Sequence, residues 1–291
     1  MTKREWLIER VLFACALTAV SALALITGFI FREGVPELFR TGPLGFVLGT
    51  VWSPSRTTFG ILPMIAGSVV VTVGALVIGV PIAVACAVFL SEMAPGRMGV
   101  FLKALVELLA AIPSVVYGFI GLTTLVPAIR QATGTPGFSA LAAAIVLAIM
   151  IIPTIASVSF ESLRAVPVAY RDSMAALGST RWQSIRMVLL PAASSGIIAG
   201  IILGIGRSLG ETMAVLMVAG NAPAMPGSVL SPVRTLTSNI ALEMGYAAGR
   251  HRDALFATAV VLFVMIACLN LLTRMVISRG AAYGGKKGSE G

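Results

Sequence analysis

Apolar positions along the chain fall into six long blocks, at about residues 11–31, 61–90, 101–129, 138–159, 192–219 and 254–278, and polar positions gather between them. A helix needs roughly 20 apolar residues to cross the hydrocarbon of a bilayer. Each block therefore predicts one membrane-spanning helix, and residues 1–291 read as a single all-α, polytopic membrane domain. The first block follows Lys3, Arg4 and Arg10 as a secretory leader would, but it exceeds the roughly 7–15 residues of a leader's apolar core, so it reads as a retained helix. Pro81, Pro113 and Pro153 fall inside three of the blocks. Each removes a backbone hydrogen bond and bends its helix, which neighbouring helices in a bundle can shelter. Segments 32–60 and 220–253, with three prolines each, read as short elements and turns. The segment 160–191 is long enough to be a module of its own, and the Gly/Lys-rich tail from Gly280 reads as disordered.

Composition narrows the class. The chain is 57% hydrophobic and 11% charged, with a mean hydropathy of +0.97, whereas a soluble domain carries about 25% charged residues. Charge this scarce cannot solvate the surface of a 291-residue globule, which excludes an ordinary soluble enzyme, and disorder needs the opposite composition. The net charge of +9 reads as topology, not nucleic-acid binding. With the N-terminus inside, 13 Lys and Arg lie on inner segments, 7 on outer ones, and Arg207 alone lies within a span. Excess Lys and Arg mark cytoplasmic loops, so both termini are expected in the cytoplasm. Cys15, Cys86 and Cys268 sit in apolar blocks without any CxxC or Cys/His pattern, and read as buried, inert thiols. No catalytic residue, metal site or cofactor is expected. Gly280 to Lys287 comes nearest to a phosphate-binding GxxxxGK[ST] loop, but Lys287 stands where Ser or Thr is required. HExxH is also missing.

The inner segment from Pro167 to Pro191 predicts two short helices joined at Gly178. Pro167 suits a helix start, Gly178 a left-handed helix end, and Thr180 with Gln183 has capping-box spacing. A helical hairpin that carries both apolar and basic residues docks onto a partner or lies on lipid.

The same segment carries a family resemblance. Asp172-Ser173-Met174, three residues, Gly178, nine residues and Val188-Leu189-Leu190-Pro191 reproduce the spacing of the EAA-x3-G-x9-IxLP motif of bacterial ABC importer permeases, with Asp-Ser-Met in place of Glu-Ala-Ala. The stretches Phe89–Pro95, Ala111–Phe119, Gly210–Ala214 and Arg234–Thr237 further resemble PstC-type permeases of the phosphate importer. The resemblance implies the type I importer permease fold, with six transmembrane helices and a cytoplasmic coupling hairpin. In it, Asp172, Ala175, Gly178, Arg181, Val188, Leu190 and Pro191 would face a separate ATPase. It also implies a PstA-like second permease, a homodimeric PstB-like ATPase and a PstS-like phosphate-binding protein, periplasmic or lipid-anchored, in the bacterial inner membrane. The sister permease PstA, a permease for sulfate, molybdate or phosphonate, and an ATP-independent secondary transporter are the alternatives.

The fifth block holds Arg207 and Glu211, whose i,i+4 spacing puts them on one helix face. A charge at a helix centre costs ~2.5–3.5 kcal/mol to insert, so such a pair faces the bundle interior or a wet cavity. It is either mutually neutralising structure or a guanidinium offered to an oxyanion, to whose oxygens its planar fork is matched. The resemblance favours the second. Ser208 and Thr212 would add hydroxyls to that path, or serve in helix packing. Ala192, Gly196, Gly200, Gly204 and Ser208 form a small-residue ridge at intervals of four, which permits close helix approach, and the ridge is expected at the boundary with the second permease. Glu107 is expected to pair with Lys103, and His251 to be a solvated loop residue.

Overall fold

A computed structural model describes residues 3–94 and 96–285. The chain is helical almost throughout. The order is α1 (Lys3–Thr41), α2 (Pro43–Leu48), a two-residue antiparallel ladder of β1 (Trp52–Ser53) and β2 (Thr58–Phe59), α3 (Leu62–Val88), α4 (Gly96–Ala111), α5 (Ser114–Ile120) and α6 (Val126–Thr133). There follow α7 (Ala140–Arg164), α8 (Val168–Ala176), α9 (Arg181–Ser184), α10 (Leu190–Ala192), α11 (Ser194–Gly210), α12 (Met213–Val218), α13 (Leu236–Glu243) and α14 (Arg250–Gly285). Among the described residues, five helical stretches are long and apolar enough to cross a membrane: Ile8–Thr41, Leu62–Met93, Ser114–Thr133, Ala140–Arg164 and Arg250–Leu271. A sixth crossing needs α11 together with the preceding stretch Arg181–Ala192, from which it bends by 70°.

α7 forms the centre. Its alanines 140, 142, 143, 144, 148 and 156 are buried, which lets α3 lie close against it. At Gly74 a Cβ would meet that of Ala144 at 2.8 Å, and at Gly79 it would meet Ile151 at 3.0 Å. The first amides of a helix lack intrahelical acceptors. Those of α7 find theirs nearby: Ala142 N donates to the Ser139 hydroxyl, Ala140 N to Ser231 O and Leu141 N to Val229 O. α1 and α14 pair along one flank through edge-to-face contacts of Phe29 with Phe256 and Phe31 with Phe263. Gly34 lies against the Phe256 backbone, and Arg250 Nη2 stands 2.7 Å from the buried Glu37 carboxylate.

Three boundaries differ from the sequence expectation. The block at 101–129 is not one helix. Pro113, with ψ 139°, divides it into α4, which has no buried residue, and α5. α1 runs through Pro36 to Thr41 where a loop was expected from residue 32, because Glu37 and Gly34 hold that turn against α14. α14 continues to Gly285, into the segment expected to be disordered, in keeping with the helix preference of Ala281 and Ala282. The rest of that tail, 286–291, lies outside the described residues. The thiols also differ: Cys15 and Cys268 are on outward-facing surfaces and Cys86 is half-buried, because an apolar surface turned to lipid needs no protein cover.

Candidate functional site

The fifth apolar block is broken where its charges sit. α11 ends at Gly210, and Glu211 takes an extended conformation (φ −69°, ψ 131°). Its carboxylate then accepts a hydrogen bond from Ala214 N at 3.1 Å, which supplies an acceptor to the first turn of α12. Thr237 at the start of α13 donates to the Glu211 carbonyl at 2.9 Å, and Thr212 donates to Gly210 O at 3.3 Å. The expected i,i+4 pair is therefore not formed. Among the described residues Arg207 has no ion pair, and it lies exposed in the last turn of α11, where a helix C-terminus favours a cation. Gly206 and Gly210 flank it with open space beside them. Ser208 points the other way. It is buried and donates to Thr72 Oγ1 of α3 at 3.3 Å, so it is a packing hydroxyl.

The small-residue ridge also finds a partner within the chain. A Cβ at Gly196 would collide with the Ser162 side chain, one at Gly200 would come within 3.2 Å of Val158, and one at Gly204 within 2.7 Å of Ile155. All three neighbours are on α7. Small residues permit close approach without specifying the partner, and here α7 occupies the face expected at the subunit boundary. The open side of α11 is the one that carries Arg207.

At one end of the bundle, α8 and α9 form a hairpin. Gly178 has φ +73°, Gly178 N donates to Ala175 O at 2.9 Å, and Ser179 N donates to Met174 O at 3.1 Å. These bonds make a Schellman motif, which needs a left-handed residue after the helix. Thr180 and Gln183 exchange both bonds of a capping box. Asp172, Ala175, Gly178, Arg181 and Pro191 are exposed, as are the large apolar side chains of Val168, Tyr170, Leu177 and Trp182. Val188 and Leu190 are half-buried, while Ile185 and Leu189 anchor the second leg in an apolar cluster with Val88, Leu90, Leu163 and Ile197.

The first leg is held differently. Arg171 donates from Nη2 to Glu92 Oε1 at 2.7 Å and from Nε to Glu92 Oε2 at 3.2 Å. It also donates to the carbonyls of Val166 and Leu163, at 2.9 and 3.1 Å. Its bond to the carboxylate holds the guanidinium above its ordinary pKa. A cavity of about 210 Å³ opens between Glu92, Arg171, Thr180, Arg181 and Ile185. Sequence reasoning missed Arg171, Glu92, Ile185 and Leu189. The i,i+4 spacing of Ile185 and Leu189 beside Arg181 and Arg186 was a usable signal, but pairing residues 79 positions apart was not legible. Lys103 also finds a nearer partner than expected, standing 2.7 Å from Glu161 of α7 and 3.8 Å from Glu107.

At the opposite end lies a second polar centre. The buried Glu243 carboxylate accepts from Arg234 Nη1 at 2.6 Å and from Trp52 Nε1 at 2.8 Å, and lies 2.8 Å from His251 Nε2. His251 is thus no solvated loop residue: it stacks on Phe59 with ring centroids 6.4 Å apart. Arg234 also donates to Asn221 O and Asn239 Oδ1. This centre ties the β1–β2 hairpin, α13, α14 and the loop after α12 together. Removing one member of a buried ion pair strands the other and costs about 3–5 kcal/mol. Glu243→Gln is therefore expected to lower the thermal unfolding midpoint of the purified protein clearly, and an unchanged midpoint would contradict this account of the cluster.

These features define a polytopic helical membrane protein with an exposed helical hairpin at one end of the bundle. The chain belongs to the family of binding-protein-dependent transport system inner membrane components, whose profile matches residues 79–279. It is 42% identical over 274 residues to the probable ABC transporter permease protein YqgH of Bacillus subtilis (strain 168), covering 91% of this chain and 88% of that protein. It is 35% identical over 284 residues to the phosphate transport system permease protein PstC of Pasteurella multocida (strain Pm70), covering 91% of this chain and 88% of that one. A chain of a bacterial alginate ABC transporter, solved with an alginate pentasaccharide-bound periplasmic protein, shares the fold. Its TM-score is 0.66 at 16% identity, over 94% of this chain and 96% of that one. The protein is accordingly a multi-pass inner-membrane permease subunit of an ABC importer with the type I permease fold. It is not itself an enzyme: it works with a separate ATPase, which hydrolyses ATP, and with a substrate-binding protein.

Proposed function

We propose that this chain is the PstC-like permease of an ATP-driven importer of inorganic phosphate. It forms the translocation path with a PstA-like permease and is driven by a homodimeric PstB-like ATPase. A PstS-like protein, periplasmic or lipid-anchored, delivers the ion from outside. Both termini lie in the cytoplasm, consistent with the Lys and Arg bias of the inner segments. The observation that carries the reading is Arg207: an exposed guanidinium, without an ion pair among the described residues, on the open side of an otherwise uncharged α11. A permanent cation at that depth is costly unless it faces water or a partner, and its planar fork matches a tetrahedral oxyanion. Thr212 and the Glu211 turn beside it complete this chain's side of the path. Phosphate itself is supported by the relatives that bear that name.

In this mechanism ATP binding closes the ATPase pair, the hairpin from Asp172 through Gly178 and Arg181 to Pro191 follows it, and the helices reorient around Arg207. The exposed Val168, Tyr170, Leu177 and Trp182 supply the apolar surface for docking. A second reading, import of another oxyanion, follows from the same guanidinium, which does not by its charge distinguish phosphate from sulfate. In the reconstituted complex, phosphate-loaded binding protein is expected to stimulate ATP hydrolysis several-fold and sulfate to leave it at its basal level. Equal stimulation by both would favour the second reading.

A further inference from the structure

We propose that the Glu92–Arg171 ion pair is the joint through which the hairpin moves α3, so that both are positioning residues for coupling. The inference rests on the reading of the hairpin as the ATPase-docking element. Arg171 lies in the middle of α8, a helix with no buried residue. Its guanidinium makes four hydrogen bonds, two to the Glu92 carboxylate beyond α3 and one each to the carbonyls of Leu163 and Val166 at the end of α7. One side chain thus ties the first leg of the hairpin to both central helices.

Glu92 is equally committed. Ser91 donates to its Oε1 at 2.6 Å, and it sits in the π-turn Phe89–Met93 that closes α3, sealed by Ala94 N donating to Phe89 O at 2.8 Å. The second leg meets the bundle at another π-turn, Ile185–Leu189, whose first and last side chains fill the cluster around Val88 and Leu90. π-turns are uncommon and recur at functional sites in helices. Of the three among the described residues, one, Gly121–Leu125, joins α5 to α6, and the other two stand at the places where the hairpin joins the core. The two joints differ in kind. The second is apolar and non-directional, whereas the first is a forked, charge-assisted contact that fixes direction as well as distance. A displacement of α8 is therefore passed to α3 through Glu92. From α3 the line continues to α11 through Thr72 and Ser208, one residue from Arg207.

The test uses the complete importer in proteoliposomes, with Glu92→Gln, Arg171→Met, the double variant and Leu177→Asp at the exposed hairpin tip. The readouts are ions transported per ATP hydrolysed and the amount of ATPase retained on the permease. Each single variant of the pair is expected to keep its ATPase and to lose about tenfold in the transport-to-hydrolysis ratio, within the span of allosteric couplings. The double is expected to be no worse than the worse single, as for residues that act as a unit. Wild-type ratios in the singles, losses that multiply in the double, or detachment of the ATPase in the singles would each overturn the inference. Leu177→Asp separates the two levels. If it strips the ATPase while Glu92→Gln couples normally, only the joint is wrong. If it leaves docking and coupling intact, the hairpin reading falls and the joint with it.

Discussion

Arg207→Ala is expected to cut ATP-driven phosphate uptake about 100-fold, the loss typical of removing one preorganised group that meets a charged centre, while the complex still assembles. Assembly survives because Arg207 makes no ion pair among the described residues and its helix is fixed from the opposite side. There Gly196, Gly200 and Gly204 lie against α7, and Ser208 bonds Thr72 of α3. Among the described residues the guanidinium makes no hydrogen bond or ion pair that its loss would break. Arg207→Lys is the informative companion. Lysine keeps the charge but is a point donor without the planar fork, so partial uptake is expected. Equal and normal uptake by both variants would remove Arg207 from the path.

The second large effect is expected at Gly178. A residue with φ +73° is free for glycine, whereas a non-glycine L-residue in that region pays ~1–2 kcal/mol. No atom lies within 4 Å of a Cβ built there, so the penalty is backbone strain alone. Gly178→Asn, the side chain that tolerates the left-handed region best, should couple nearly normally. Gly178→Val should open the Schellman turn, misdirect α9 and leave ATP hydrolysis running without transport. The graded pair separates conformation from bulk. If valine and asparagine behave alike, hairpin geometry does not matter for coupling.

The sequence was informative where a signal is local. The apolar blocks at 11–31, 61–90, 138–159 and 254–278, the left-handed glycine and the Thr180–Gln183 box are each set by residues a few positions apart, and the structure contains long helices over those four blocks, the turn and the cap. It was misleading where the same local pattern has two three-dimensional solutions. Arg207 and Glu211 at i,i+4 share a face only if the helix continues, and the helix stops between them at Gly210. The small-residue ridge announces a close neighbour but not its identity, which is α7 of the same chain. Long-range partners were not legible at all. The Arg171–Glu92 fork and the Trp52–Glu243 bond join residues far apart in sequence, and His251, read alone between two arginines, resembled a loop residue. The departures gather at both ends of the bundle and at the break beside Arg207, where local preference yields to tertiary contacts.

The central claim is that this permease carries phosphate past Arg207 at the expense of ATP. The most direct measurement is uptake of labelled phosphate by the complete complex in proteoliposomes, with ATP supplied on the ATPase side and unlabelled sulfate as competitor. The account predicts ATP-dependent accumulation that excess sulfate leaves intact and that Arg207→Ala lowers about 100-fold. Accumulation without ATP, or equal inhibition by sulfate and unlabelled phosphate, would contradict it.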